Sequence, residues 1–208
     1  MLIYFVRHGQ SEGNRKEIHH TPDIPLSKDG VIQAKAIAKR LVNLNFDLIY
    51  ASSMTRASQT AEIINEKLKL PIEYWDEIAE CKSPSEIRGK KIDDPEVIKI
   101  KKMVAKNFYK KNWKYSDEET FDDLNCRASN VLDHLMKNHS DQTVLCISHS
   151  QFIKFIAAKI IFGGNLTPKI FSEMRNHLFM ENTGITIYEH SEKYGWTLNT
   201  WSDTTHLR

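Results

Sequence analysis

Short apolar runs rich in β-branched and aromatic residues alternate along this chain with segments of helical period. The apolar runs cover residues 2–6, 47–52, 71–75 and 143–148, with two late runs at 184–189 and 196–200. Helical patterns cover residues 27–44, 56–68, 95–138 and the stretch from 152 onward. Strands that alternate with helices favour a parallel sheet, because each crossover helix returns the chain to the same end of the sheet. We therefore predict a three-layer α/β/α fold with a largely parallel central sheet and helices on both faces.

The size of the chain fits one domain. Its 208 residues, 40% of them hydrophobic, are enough to bury one sizeable core without disulfides or metal clips. We expect a single domain over residues 1–208. A helical insertion at about residues 82–125 interrupts the strand and helix alternation, and we expect it to stand over the strand ends as a cap.

Charge and cysteine content exclude several classes of protein. A net charge of +2 without a basic, aromatic-rich stripe argues against nucleic acid as a partner. The three cysteines are odd in number and scattered, which indicates reduced thiols and a cytoplasmic protein. The longest apolar stretch, near residues 152–162, carries Lys154 and Lys159 and is too short to span a bilayer, so we expect no membrane partner. A monomer or a homodimer is expected.

Charged side chains that suit an anion follow two of the predicted strands. The first strand ends in Arg7, His8 and Gly9, the fourth ends before His149, and Arg56 falls in the first turn of a predicted helix. Ligands of open α/β sheets bind outside the carboxyl ends of the strands. A phosphomonoester carries about two negative charges near neutral pH, and a guanidinium can hold two of its oxygens at once. These residues therefore predict an anion site.

Four segments, in this order, resemble the histidine phosphatase superfamily, the phosphoglycerate mutase-like group with two histidines. They are Arg7-His8-Gly9, the segment 23–30 (Asp-x-Pro-Leu-Ser-x-x-Gly), the segment 53–61 (Ser-x-x-Arg-Ala-x-Gln-Thr-Ala) and Ser148-His149-Ser150. The resemblance implies a phosphoglycerate mutase-like fold and a small-molecule phosphomonoester as the substrate. It is weakest over residues 82–115, where we expect substrate selectivity to lie.

The resemblance also gives roles to individual residues. His8 is the expected nucleophile, which forms a phosphohistidine, and Arg7 and Arg56 hold the phosphoryl oxygens. His149 is the expected donor to the charge that builds in the transition state. The full set of predicted substrate contacts is Arg7, Gln10, Asn14, Arg56, His149 and Ser150. Two of them have a simpler reading, since Asn14 could be a turn residue and Gln10 or Ser11 a cap.

A proton donor for the leaving oxygen is the remaining requirement. The family places this acid at the glutamate of an apolar-x-Glu pattern after the third strand, which matches Ile78-Ala79-Glu80. Glu80 is therefore the predicted general acid, and Glu77 is the alternative in the same acidic segment.

Three functions remain open at this point. The first is a phosphatase that hydrolyses phosphomonoesters; the second is a 2,3-bisphosphoglycerate-dependent phosphoglycerate mutase, whose longer members carry a basic loop motif that we do not find. The third is a catalytically silent phosphate-binding protein, which the complete set of charged residues disfavours. We expect no cofactor. We also expect no metal, because adjacent histidines such as His19 and His20 point in different directions and no cysteine or further ligand lies at metal spacing. That pair is predicted to form a lip of the pocket or to face solvent.

Overall fold

The computed structural model describes all 208 residues, and its centre is one six-stranded sheet. The strands are β1 (Leu2–Arg7), β2 (Leu48–Ala51), β3 (Ile72–Tyr74), β4 (Thr143–Ser148), β5 (Ile185–Ser191) and β6 (Gly195–Asp203). Their order in space is β3-β2-β4-β1-β5-β6. The first four strands are parallel, while β5 runs antiparallel to β1 and β6 antiparallel to β5. The prediction of a largely parallel sheet is confirmed.

Seven α-helices surround the sheet. They are α1 (Glu12–Arg15), α2 (Lys28–Leu41), α3 (Thr55–Leu68), α4 (Pro95–Asn107), α5 (Phe121–Asn138), α6 (Ser150–Phe162) and α7 (Pro168–His177). Short 3-10 helices cover Asp76–Ile78, Ser85–Ile87, Gly163–Asn165 and Thr205–Leu207. None of the helices is both long and apolar enough to cross a membrane.

The core lies in two layers, one on each face of the sheet. Successive residues of β1 and β4 point to opposite faces, as expected of strands. Ile3, Phe5 and Cys146 therefore join a cluster of 23 buried residues beneath α5 and α6. Val6 and Ile147 join a cluster of 13 buried residues beneath α2 and α3. The predicted helices on both faces are confirmed by this division.

Local signals explain where two of the helices begin. Ser27 caps α2, because its hydroxyl oxygen accepts a hydrogen bond from the backbone N–H of Gly30. The helix ends at Leu41 and not at the predicted residue 44, since the chain turns there to reach β2. Helix α7 was not predicted, although Thr167 before Pro168 is a typical helix start, with the Thr167 side chain accepting from the Ile170 N–H.

The segment between β3 and α5 carries α4 and the 3-10 helix Ser85–Ile87. It has its own small apolar cluster of Ile87, Val97 and Ile100. The last residues of the insertion expected at 82–125 belong to α5, because Phe121 and Leu124 are buried in the main core.

Candidate active site

Two buried histidines stand side by side at the carboxyl ends of β1 and β4. These strands are parallel neighbours with Arg7 opposite Ser148, so His8 and His149 follow at the same level. Their ring centroids are 5.1 Å apart, and only 2% and 0% of their surfaces are exposed. The two predicted strand-end histidines therefore form one site.

The hydrogen bonds of His8 define which ring nitrogen can react. His8 Nδ1 lies 2.7 Å from the carbonyl oxygen of Gly9, so Nδ1 carries the hydrogen and donates it. The lone pair is therefore on Nε2, to which Arg56 Nε donates at 3.2 Å. A neutral imidazole with Nε2 turned toward a guanidinium is a suitable nucleophile for an anion that the guanidinium binds.

Both imidazoles are neutral at neutral pH because of burial and nearby positive charge. Burial first, and then Arg56 and Arg7, hold the pKa of His8 well below its ordinary value, against a smaller opposing effect of the Gly9 carbonyl. Burial and then Arg56 lower the pKa of His149 in the same way.

Neither arginine of the site is neutralised by a carboxylate in an ion pair. Arg56 is 1% exposed, and its guanidinium donates to the carbonyl of Thr21 and contacts the sulfur of Met54. Burial lowers the pKa of Arg56 to about 10, which still leaves it charged at neutral pH. Arg7 donates through one Nη to the carbonyl of Met180 at 2.6 Å. The site therefore offers the buried charge of Arg56 and the partly buried charge of Arg7 to an anion.

Two buried nitrogens of the site have no hydrogen-bond partner in the protein. They are Arg7 Nε and His149 Nδ1. Ser52 Oγ accepts from the Met54 N–H and lies 2.9 Å from His149 Nε2, so its hydroxyl hydrogen is free to point at Nε2. When the Ser52 hydroxyl donates to Nε2, His149 carries its hydrogen on Nδ1, which is then a donor. Buried donors are normally satisfied, so this pair suits an anionic ligand.

Glu80 is held beside this cluster by the start of α6. Its carboxyl oxygens accept from the backbone N–H groups of Cys81 at 2.9 Å, Phe152 at 3.2 Å and Gln151 at 3.3 Å. The side chain lines the cavity, and its proximity to Arg7 and Arg56 offsets part of the effect of burial, which lowers the pKa of both arginines. Glu77 does not line the cavity, and its carbonyl instead accepts from Arg127. The geometry favours Glu80 over Glu77 as the proton donor.

The remaining residues that were predicted to contact the substrate are Asn14, Gln10 and Ser150. Asn14 lines the cavity, while its side-chain oxygen accepts from the Ser11 N–H and caps α1. Gln10 Oε1 accepts from the Ser27 hydroxyl at 2.7 Å and so fastens the loop after β1 to α2. Ser150 opens α6 directly after His149. Contact of Gln10 and Ser150 with substrate stays a prediction.

His20 lies in the site. Of the two positions predicted for it, the lip of the pocket and a solvent-facing position, this agrees with the first. Its Nε2 lies 3.1 Å from Ser11 Oγ, and its ring centroid is 6.1 Å from that of His8. No group of three or more His, Cys, Asp or Glu side chains is arranged to hold a metal ion.

Thr60, which belongs to the family-like segment 53–61 but had no predicted role, supports the site. It stands one turn after Arg56 on α3, accepts from the Gly9 N–H at 3.1 Å and donates to the Arg56 carbonyl at 2.7 Å. This threonine connects the two segments that carry His8 and Arg56, and its spacing of four residues from Arg56 was the available signal.

The state of His20 predicts how stability depends on pH. Burial, followed by Arg56 and Arg7, lowers the pKa of His20 from 6.5 to about 4. Between these values the unfolded chain binds more protons than the folded one, so the free energy of unfolding falls as the pH drops from 6.5 toward 4. We expect His20→Gln to reduce the slope of the unfolding free energy against pH in this range. The reduction corresponds to at most about one proton, or ~1.4 kcal/mol per pH unit. Urea unfolding at a series of pH values measures the slope, and an unchanged slope would contradict the assignment.

A large cavity adjoins this cluster. Its volume is about 950 Å³, and Asn14, His20, Arg56 and Glu80 line it together with residues of the segment between β3 and α5. The cluster of His8, Arg56, His149 and Glu80 can thus meet a phosphoryl group whose leaving group occupies the cavity.

Comparisons with known proteins agree with this geometry. The chain is 28% identical over 162 residues to the uncharacterized phosphatase PhoE of Bacillus subtilis, with 77% of this chain and 78% of that protein covered. It is 24% identical over 171 residues to the adenosylcobalamin/alpha-ribazole phosphatase of Escherichia coli, with 77% and 79% covered.

Solved structures share the fold. YhfR of Bacillus stearothermophilus superposes with a TM-score of 0.81 at 24% identity, covering 100% of this chain and 99% of that one. A phosphoserine phosphatase of Entamoeba histolytica, solved with 3-phosphoglyceric acid, has a TM-score of 0.78 at 23% identity and the same coverage. The family model for branch 1 matches residues 3–204, so the chain belongs to the histidine phosphatase superfamily.

Proposed function

We propose that this protein is a phosphatase that hydrolyses phosphomonoesters through a phosphohistidine on His8, without a metal ion. The observation that carries the proposal is the convergence of His8 Nε2 with two arginines that form no ion pair and with the unpartnered nitrogens Arg7 Nε and His149 Nδ1. Phosphoryl transfer needs positioning and stabilisation of negative charge more than covalent assistance, and these donors supply both.

In the first step the lone pair of His8 Nε2 attacks phosphorus and forms the P–N bond. The bond between phosphorus and the ester oxygen breaks, and that oxygen takes a proton from Glu80 as it leaves. Arg7, Arg56 and the Nδ1–H of His149 hold the phosphoryl oxygens while charge builds on them.

In the second step water attacks the phosphorus of the phosphohistidine. Glu80, now a carboxylate, accepts a proton from the water, and the P–N bond breaks with its electron pair returning to His8 Nε2. Inorganic phosphate is released, and the enzyme is back in its starting state.

The decisive experiment is a screen of purified protein against a panel of phosphomonoesters in excess EDTA, with and without 2,3-bisphosphoglycerate. We expect phosphate release that EDTA does not reduce, because the two arginines provide the positive charge that a metal supplies in other phosphatases. Activity that is lost in EDTA and restored only by Mg²⁺ or Zn²⁺ would contradict metal independence. Conversion of 3-phosphoglycerate to 2-phosphoglycerate only with 2,3-bisphosphoglycerate, and no phosphate release, would identify a mutase instead.

A further inference from the structure

The cavity is much larger than a phosphoryl group. At about 950 Å³ it lies at the upper end of the volumes usual for sites that bind small molecules. Of the proposed phosphoryl site only Arg56 and Glu80 line the cavity, so most of its volume is available to the leaving group.

Part of the cavity wall is apolar. This part is contributed by the segment between β3 and α5, by α5 and by α7: Ile87, Ile100, Val104, Phe108, Leu124 and Phe171. Such a wall suits an apolar or aromatic body on the leaving group.

One guanidinium lies against this wall. Arg175, on α7, lines the cavity and places its guanidinium carbon 5.4 Å from the ring centroid of Phe108 and 5.6 Å from that of Phe171. The backbone there is anchored, because Lys154 Nζ donates to the Arg175 carbonyl at 3.0 Å. The two phenyl rings therefore hold the Arg175 guanidinium at the cavity surface.

Three other basic groups that line the cavity are paired with carboxylates, while Lys101, which also lines it, is exposed to solvent and forms no ion pair. Arg127 is bound to Glu119 at 2.7 Å, and both Arg88 and Lys82 are bound to Asp117, at 2.9 Å and 3.3 Å. Arg175 forms neither an ion pair nor a side-chain hydrogen bond. Burial lowers its pKa, and no carboxylate compensates for that burial.

We propose that Arg175 binds an anionic group on the leaving group. The preferred substrates are then phosphomonoesters with an apolar or aromatic body that ends in a carboxylate or a second phosphate. This inference rests on the proposed phosphatase activity and adds the substrate class to it.

The test compares pairs of aryl phosphates that differ only in charge. Each pair is a phenyl phosphate whose para substituent ends in a carboxylate or in the matching carboxamide, with zero to three methylene groups before it; a third series ends in a phosphonate. We expect kcat/KM to favour an anion over the amide by about tenfold or more at the best length, as for a hydrogen bond between charged groups. The carboxylate and phosphonate series show which of the two anions is preferred.

Variants of Arg175 identify the group responsible. Arg175→Gln should remove the preference for the anion while leaving kcat/KM for the carboxamide within about twofold, and Arg175→Lys should retain part of the preference. Lys102→Gln is the matched control, since it removes the same charge from an exposed position on α4 outside the cavity lining. The preference of the Lys102→Gln protein for the anion over the amide should equal that of the unmodified protein.

The inference fails if the unmodified protein hydrolyses each anionic substrate and its amide with the same kcat/KM at every length. It also fails if Arg175→Gln lowers kcat/KM for both substrates by the same factor. The proposed phosphatase activity fails separately, if phenyl phosphate itself is not hydrolysed. In that case calorimetric binding of the same pairs, made as non-hydrolysable phosphonates, tests Arg175 without catalysis. Binding of the anion that is tenfold tighter than binding of the amide, and a loss of this difference in Arg175→Gln, support the inference. Equal binding of the anion and the amide overturns it.

Discussion

His8→Ala is expected to lower kcat/KM by at least about a thousandfold and to abolish the acid-labile phosphoenzyme, because no other group takes the place of an essential nucleophile. His8 Nε2 is an unprotonated ring nitrogen and accepts a hydrogen bond from Arg56 at 3.2 Å, which places it beside the proposed phosphoryl-binding guanidinium. The measurement is rapid mixing with a radiolabelled phosphomonoester, a quench that preserves phosphohistidine, and counting of the label on the protein.

His177→Ala is the matched control, because His177 is an exposed histidine at the end of α7. It should form phosphoenzyme at the rate of the unmodified protein. A His8→Ala protein that is labelled as fast as that control would show that the nucleophile is another residue.

Glu80→Gln is expected to slow phosphoryl transfer from alkyl esters by about a hundredfold or more, the usual contribution of a general acid. The amide keeps the shape of the side chain but has no acidic proton to give to an alkoxide. Hydrolysis of p-nitrophenyl phosphate should suffer much less, because its leaving group needs little protonation. Single-turnover rates on both substrates give the two ratios.

Glu77→Gln tests the same chemistry three residues earlier in the chain. Since Glu77 does not line the cavity, both rates should remain close to those of the unmodified protein. Equal losses on both substrates in Glu80→Gln, or a selective loss on alkyl esters in Glu77→Gln, would place the proton donor elsewhere.

Much of the fold could be predicted because its signals are local. Apolar runs of β-branched residues and the Ser27 cap identify strands and a helix start from neighbouring residues alone. Helix ends were less predictable: α2 stops at Leu41 because the chain must turn to reach β2, a requirement of the packed sheet and not of the helical pattern.

The site illustrates the same division between local signals and long-range packing. His8 and Arg56 were predicted from their segments, and the structure places them within one hydrogen bond of each other. Glu80 and Glu77 have similar sequence surroundings, and what distinguishes them is the start of α6, whose N–H groups hold the Glu80 carboxylate. The role that we propose for Arg175 had no sequence signal, because it depends on rings contributed by Phe108 and Phe171.

The sequence by itself determined the alternation of strands and helices and the residues that follow β1 and β4, since both depend on short-range patterns. Only the tertiary structure decided that these two strands are neighbours, although more than a hundred residues separate them. Burial then lowers the pKa of His8 and His149 and leaves His149 Nδ1 without a partner. Desolvation and hydrogen bonding depend on every segment that packs around a group, and for this reason they could not be predicted from any one segment.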